Sequence, residues 1–180
     1  MINIRSSAVL TFAIGAVVAS GASHAVVVNK VMAANAPAHC QAFTPGPSNT
    51  IRNRVIGSEN VGPSPIAVAC TFEKPIGESA SYVQIVDMWF TNNNAAGTIN
   101  VNCTLLTGYQ GQGGAVIINK SVNIAAGEQE GIDFTADDTP DGADVDLGDH
   151  LVGVNCTLPT GAVINDTYIY WQENNGVAAP

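Results

Sequence analysis

The sequence predicts an all-β protein: a two-layer antiparallel β-sandwich of about eight strands, held by two disulfides. Three observations predict it. A short phrase occurs three times, as Val68-Ala69-Cys70-Thr71-Phe72, Val101-Asn102-Cys103-Thr104-Leu105 and Val154-Asn155-Cys156-Thr157-Leu158. Each copy alternates apolar and polar residues, the period of a strand with one buried face, and sets its cysteine on that face. Segments rich in β-formers recur at short spacing between clusters of Gly, Pro and Asn. No amphipathic helical pattern follows the N-terminal apolar run. Such strands pack most simply as a sandwich, and the pattern leaves its topology, Ig-like or jelly-roll, open.

The chain begins with the three parts of a secretory signal. Arg5 supplies the positive charge, Ala8 to Ala19 the apolar run, and Ser23-His24-Ala25 the small-residue cleavage site. Residues 1–25 are therefore expected to be a signal peptide, cleaved after Ala25. The apolar run falls short of the roughly 20 residues that span a bilayer. No second apolar run follows, so no membrane insertion is expected after cleavage, and the localisation expected is secreted or periplasmic.

Residues 26–48 read as an N-terminal arm or linker. Pro37 and the Pro45-Gly46-Pro47 turn interrupt regular structure there. Val26-Val27-Val28 reads as an edge strand or a disordered end, with disorder the safer reading, and Asn29, Lys30 and Asn35 break the alternation that a strand donated to a neighbour needs. Residues 49–173 form the sandwich domain. Thr50 to Ile56 reads as its first strand, with a turn from Gly57 to Pro65. Ile66 to Phe72 follows, then Ser81 to Phe90, which ends at the Asn92-Asn93-Asn94 turn. Thr98 to Leu106, Ala115 to Ile124, Gly131 to Thr135, Leu151 to Leu158 and Val163 to Gln172 complete the set. Residues 174–180 read as a flexible tail.

Charge and cysteines bound the function. The chain carries a formal charge of −9. Beyond Ala25 the count is five Lys plus Arg against fifteen Asp plus Glu, a charge of −10. With no basic patch, nucleic acid is excluded as a partner. Four cysteines in an exported chain read as two disulfides, which can pair in three ways. Cys40–Cys70 and Cys103–Cys156 are favoured. The shared phrase makes Cys103 and Cys156 equivalent inward positions of neighbouring strands, and Cys40 would then tie the arm to the strand of Cys70. A zinc site is disfavoured because no C-x-x-C occurs and no His has ligand-like spacing.

Candidate site residues fall in two places. Asp133, Asp137, Asp138, Asp141, Asp144, Asp146 and Asp149 crowd one stretch, with Gly142 and Gly148 among them. Calcium takes oxygen ligands from flexible, carboxylate-rich loops, so Asp137, Asp138, Asp141, Asp144 and Asp146 are candidate calcium ligands. Pro140, and Gly148 where an EF-hand places its bidentate Glu, depart from the EF-hand pattern. A solvated acidic loop is the plainer reading. No other cofactor is implied. Tyr168 and Tyr170 are the second candidates. They share one strand face while Trp171 points the other way. If Ile169 and Trp171 face inward, the two tyrosines form an exposed pair suited to stacking on a sugar ring; rings filling the core is the plainer alternative.

Signals for catalysis are thin. No G-x-S-x-G occurs, and His39 and His150 accompany no nucleophile motif. Glu73, Glu78 and Asp87 offer carboxylates of the kind a glycosidase pairs, as any acidic β-protein does. No residue is assigned a catalytic role.

The C-terminal pattern Val154-x-Cys156-x-Leu158-Pro159-x-Gly161-x-x-Ile164, continued by Tyr168 and Glu173, resembles the closing motif of a loosely defined group of uncharacterised secreted bacterial β-proteins. Cys103-Thr104-Leu105 is similar to the preceding cysteine strand of that group. The resemblance implies a disulfide-stapled β domain outside the cytoplasm and brings no catalytic residue with it. The function expected is a secreted, non-catalytic binding or structural module for an unidentified extracellular ligand or protein. The alternatives are a subunit of a surface assembly using the N-terminal arm and, less favoured, a hydrolase.

Overall fold

The computed structural model describes residues 27–43, 50–72, 82–107, 116–139 and 152–174. The signal segment and residues 175–180 lie outside the described residues, and Asn174, read as the start of a tail, is the last residue of a strand. The strands are β1 (Val27–Asn35), β2 (Cys40–Ala42), β3 (Ile51–Arg54), β4 (Gly57–Asn60), β5 (Ile66–Phe72), β6 (Tyr82–Asn92), β7 (Ile99–Thr107), β8 (Val116–Ile124), β9 (Gln129–Thr135), β10 (Val152–Leu158) and β11 (Ala162–Asn174). One helical turn, α1 (Ala36–His39), separates β1 from β2.

The strands make two antiparallel sheets. One runs β3-β4-β11-β6-β9, with β1 paired to β11 beyond the end of β4. The other runs β2-β5-β10-β7-β8. The eight strands β4 to β11 fall into the orders β4-β11-β6-β9 and β5-β10-β7-β8. Consecutive strands alternate between layers except at the β7–β8 hairpin. That winding is a jelly roll, which settles the topology left open by the sequence.

The core lies where the inward faces meet. On β7 the buried residues are Ile99, Val101, Cys103, Leu105 and Thr107, at strict period two. On β10 they are Val152, Val154, Cys156 and Leu158. From the other sheet come Val86, Met88, Phe90, Ile132, Phe134, Ile164, Ile169 and Trp171. Fully burying one such side chain contributes about 1.5–3 kcal/mol. Cys103 is bonded to Cys156 and Cys40 to Cys70, the pairing favoured from the sequence. Each bridge joins residues directly opposed in register, and both lie in the five-stranded sheet.

Two expectations are corrected. The segment read as a disordered arm supplies β1, α1 and β2. Strand β1 pairs with β11 over its whole length, from Val27 opposite Asn174 to Asn35 opposite Asp166. As an edge strand, β1 is held by main-chain bonds on one side only. It therefore tolerates Asn29 and Lys30, and charged residues on an edge also discourage pairing with another chain. The second correction concerns 50–56, read as one strand before a turn. The chain reverses at Val55–Ile56, and Gly57 begins a further strand antiparallel to β3. Gly57 adopts φ +149°, and a Cβ there would overlap the main-chain oxygen of Ile164.

Buried amides hold the turns at one end of the sandwich. Asn60 is fully buried; its amide donates to the carbonyls of Ser64 and Leu158, and its Oδ1 accepts from Gly62 N–H. Asn92 donates likewise to Gly97 and Ile124 and accepts from Asn94 N–H. Gly161 turns β10 into β11 at φ +80°, in a turn closed by the Ala162 N–H to Pro159 oxygen bond. A Cβ on Gly161 would lie 2.8 Å from that of Asn94, so this glycine of the closing motif is a packing requirement.

Candidate functional site

Alternation along β11 and β6 decides what the six-stranded sheet shows to solvent. Thr167, Ile169 and Trp171 are buried, so Tyr168 and Tyr170 project from the outer face. Their rings stack with centroids 6.4 Å apart and planes inclined by 23°. Tyr170 is 36 % exposed. Edge residues Val31 and Ala33 flank them in register on β1.

On β6 the inward residues Val86, Met88 and Phe90 leave Ile85, Asp87, Trp89 and Thr91 facing out. Asp87 stands opposite Tyr168 on one side and Asp133 of β9 on the other. Trp89 stands opposite Gly131 and is 41 % exposed. A Cβ on Gly131 would lie 3.4 Å from the indole and 3.5 Å from Asp87 Oδ1. The missing side chain gives the ring room to lie across β9, a cross-strand pairing in which an aromatic covers a glycine. Trp89 Nε1–H donates to Asp87 Oδ2 at 2.8 Å and so fixes the ring's orientation.

Asp87 is the electrostatically unusual group of this face. Its Oδ1 is buried and has no donor. Two ionised carboxylates cannot hydrogen-bond each other, so Asp133 can satisfy that oxygen only when a proton is shared. Burial pushes the Asp87 carboxyl up to about 6. The bond from Trp89 opposes the rise, and Asp133 adds to it by hydrogen bonding and by charge.

Beyond Trp89 the face deepens. The β6–β11 register shifts between Ile164 and Thr167, so that Asn165 and Asp166 together oppose the single residue Trp89. Bulges of this kind re-aim side chains beside binding sites. Here the bulge helps to open a cavity of about 370 Å³, with Val55, Ile56 and Val163 supplying apolar wall and Thr91, Asn93, Gln129, Asn165 and Asp166 among its polar lining. Val55, at the tip of the β3–β4 turn, is 91 % exposed. Thr91 Oγ1 donates to Asn165 Oδ1 at 2.6 Å and accepts from Gln129 Nε2 at 3.0 Å. Asn165 Nδ2 donates to the Ile56 carbonyl. The outer face is thus one continuous strip, aromatic from Tyr170 to Trp89 and amide-lined from Thr91 to Asn93.

The other candidates separate. Asp137 is exposed on a 3-10 turn (Ala136–Asp138). Asp138 pairs with Lys120 at 2.6 Å and accepts from Thr135 N–H at 2.7 Å. Asp141, Asp144 and Asp146 lie outside the described residues, as do Asp149, His150, Glu73 and Glu78. Among the described residues no three Asp, Glu, His or Cys side chains gather as a metal-binding group. His39 stacks on Phe72 at 6.5 Å and so packs against the core. The sequence reading placed Tyr168 and Tyr170 as a pair, but not Trp89, Asp87 and Asp133 beside them. The signal available was the alternation Ile85-x-Asp87-x-Trp89-x-Thr91, which sets those side chains on one face.

No family model matches the chain, and no curated protein matches it. Among solved structures it is similar to the module TmCBM61 in complex with β-1,4-galactotriose, at 13 % identity over 77 % of this chain and 86 % of that one, with a TM-score of 0.38. It is also similar to the family 11 carbohydrate-binding module from Clostridium thermocellum in complex with a β-1,3-1,4-mixed-linked tetrasaccharide, at 10 % identity over 81 % and 86 %, TM-score 0.39. A third similarity is to the Tobacco streak virus coat protein, at 12 % identity over 86 % and 90 %, TM-score 0.36. The sandwich assignment for this chain rests on its own strand pairings.

Proposed function

We propose that this chain is an exported, non-catalytic module that binds a carbohydrate along the outer face of its six-stranded sheet. The observation that carries the reading is the alignment of Tyr170, Tyr168 and Trp89 with a cavity of mixed valine, isoleucine, amide and hydroxyl lining, all on one face. A sugar ring has an apolar C–H face and a rim of hydroxyls. Flat aromatic rings answer the first, and fixed amide, hydroxyl and carboxylate groups answer the second. The signal-like N-terminus, the paired cysteines and the resemblance to secreted β-proteins support action outside the cytoplasm. In the assembly alternative the arm would pair with a neighbour, whereas β1 is already paired within its own chain.

Affinity electrophoresis against soluble β-glucan, β-galactan, β-mannan and xylan tests the proposal. At least one should retard the wild-type protein. Trp89→Ala and the double change Tyr168→Ala, Tyr170→Ala should each weaken that retardation about ten-fold, equivalent to about 1.4 kcal/mol. Retardation by none of the four, or retardation that both variants keep, overturns the assignment.

A further inference from the structure

We infer that Asp87 and Asp133 set the specificity of this face, admitting uncharged polysaccharides and rejecting those that carry carboxylates. The inference rests on the carbohydrate reading and deepens it. Both carboxyl groups stand on the aromatic strip: Asp87 beside Tyr168 and bonded to the Trp89 indole, Asp133 next to it across the β6–β9 pair. A ring stacked on Trp89 or Tyr168 sets its own substituents against these two oxygen acceptors. Sugar hydroxyls can donate to the exposed Asp133 carboxylate, with the Asp87 carboxyl directly beside it across the β6–β9 pair. A ligand carboxylate has no proton to give and meets two like charges.

Nearby cations do not cancel this field. Lys120, from β8, spends its ammonium on the Asp133 main-chain oxygen and the Asp138 carboxylate. Arg54 is paired with Glu59 at 2.6 Å, and Arg52 stands with it on edge strand β3. Asp166 adds a further acid at the cavity end. Lys30 is the charged residue of β1, in register with inward-facing Trp171 rather than with the tyrosines. The groups facing Asp87 itself are Asp133 from β9, Tyr168 from β11 and Trp89 on its own strand.

The test uses the neutral glucan, galactan or mannan that the full protein binds most tightly. Its affinity is compared before and after the primary hydroxyls are oxidised to carboxylates. The wild-type protein at pH 7.5 and low salt should lose at least ten-fold in affinity for the oxidised polymer. Two manipulations should recover most of that loss: the isosteric double change Asp87→Asn, Asp133→Asn, and 0.5 M salt on the wild type, which screens charge. Lowering the pH to 5 should recover part of it, because Asp87 is then largely protonated. An undiminished affinity for the oxidised polymer overturns the inference and leaves the carbohydrate reading standing. So does a loss that neither the double change nor salt relieves, since that loss would come from the missing hydroxyl. Failure of every neutral polymer to bind overturns both.

Discussion

The two sheets of the sandwich present opposite outer faces to solvent. The five-stranded sheet shows a ladder of small polar side chains that satisfy one another. Asn100 donates to Asn123 at 2.9 Å, Asn102 to Asn100 at 2.7 Å, and Thr104 to Asn119 at 2.6 Å. Its largest outward pair is Leu106 opposite Ile117. The six-stranded sheet instead shows aromatic rings, a carboxyl pair and a cavity. Both disulfides lie in the first sheet and none joins the second among the described residues. One layer is covalently braced and faced with small polar side chains; the other carries exposed aromatic rings beside a carboxyl pair and a cavity. On the proposed reading the first layer is scaffold and the second carries recognition.

The sharpest way to break that division is to remove the bracing. The Cys103–Cys156 bridge closes a loop spanning 53 residues and Cys40–Cys70 one of 30. On the chain-entropy account each contributes about 4 kcal/mol through the unfolded state, and measured values run from about 2 to 5. Replacing Cys103 and Cys156 together by Ala should lower stability by about 2–4 kcal/mol in denaturant melts. Glycan affinity, measured well below the new melting temperature, should stay within two-fold. A large loss of affinity in the folded variant would show that the braced layer shapes the site.

A mirrored pair of substitutions sharpens the comparison. Trp89→Ala should cost binding about ten-fold while changing stability by about 1 kcal/mol or less, because the ring is half exposed and lies over a glycine rather than in the core. On the opposite face, Asn102→Ala with Thr104→Ala removes only exposed hydrogen bonds. Titration calorimetry should find glycan affinity unchanged there, and melting should shift by a degree or two. Equal binding losses on both faces would dissolve the distinction.

The scaffold was far more legible in the sequence than the site. Strands β7 and β10 of the stapled sheet alternate cleanly, and the repeated cysteine phrase sets Cys103 and Cys156 at the same inward position, which is why that pairing could be read. Strand β1 was not legible, because an edge strand needs main-chain partners and not an alternating pattern, and Asn29 and Lys30 obscure it. The break at Val55–Ile56 was hidden because both residues are β-formers. They are exposed at the turn tip, next to Gly57, whose close approach to Ile164 leaves no room for a side chain. The tyrosine pair was legible as a conditional, resolved once Ile169 and Trp171 proved buried. The Asp87–Asp133 juxtaposition depends on β6 meeting β9 across the sheet, a long-range pairing that no local pattern encodes. Asn60 and Asn92 were hidden similarly, since their partners Leu158 and Ile124 are distant in the chain.

The smallest expected effect compares two carboxylates directly. Asp138 is part of the scaffold's fastening. Burial favours its neutral form, but Lys120 and the Thr135 N–H and hydroxyl outweigh that and hold its carboxyl below the usual value. Asp87, on the recognition face, is pushed up to about 6. The linkage signs are therefore opposite. Asp138 contributes stability above the unfolded-state value of 3.8, and that contribution disappears as pH falls through its lower folded value. Asp87 contributes most below 3.8, and that contribution is lost as pH rises through about 6. At pH 7.5, Asp138→Asn should destabilise by about 0.5–1 kcal/mol, the range of a partly exposed ion pair. Asp87→Asn should stabilise by about 1 kcal/mol, or about 2–4 °C in Tm. At pH 3 Asp87 is protonated and its difference should shrink toward zero, while that of Asp138 should diminish as pH falls below 3.8. Thermal melts of the three proteins at the two pH values decide it. If Asp87→Asn is destabilising at pH 7.5, the recognition face holds no unspent charge, and its contrast with the braced sheet rests on the aromatic rings alone.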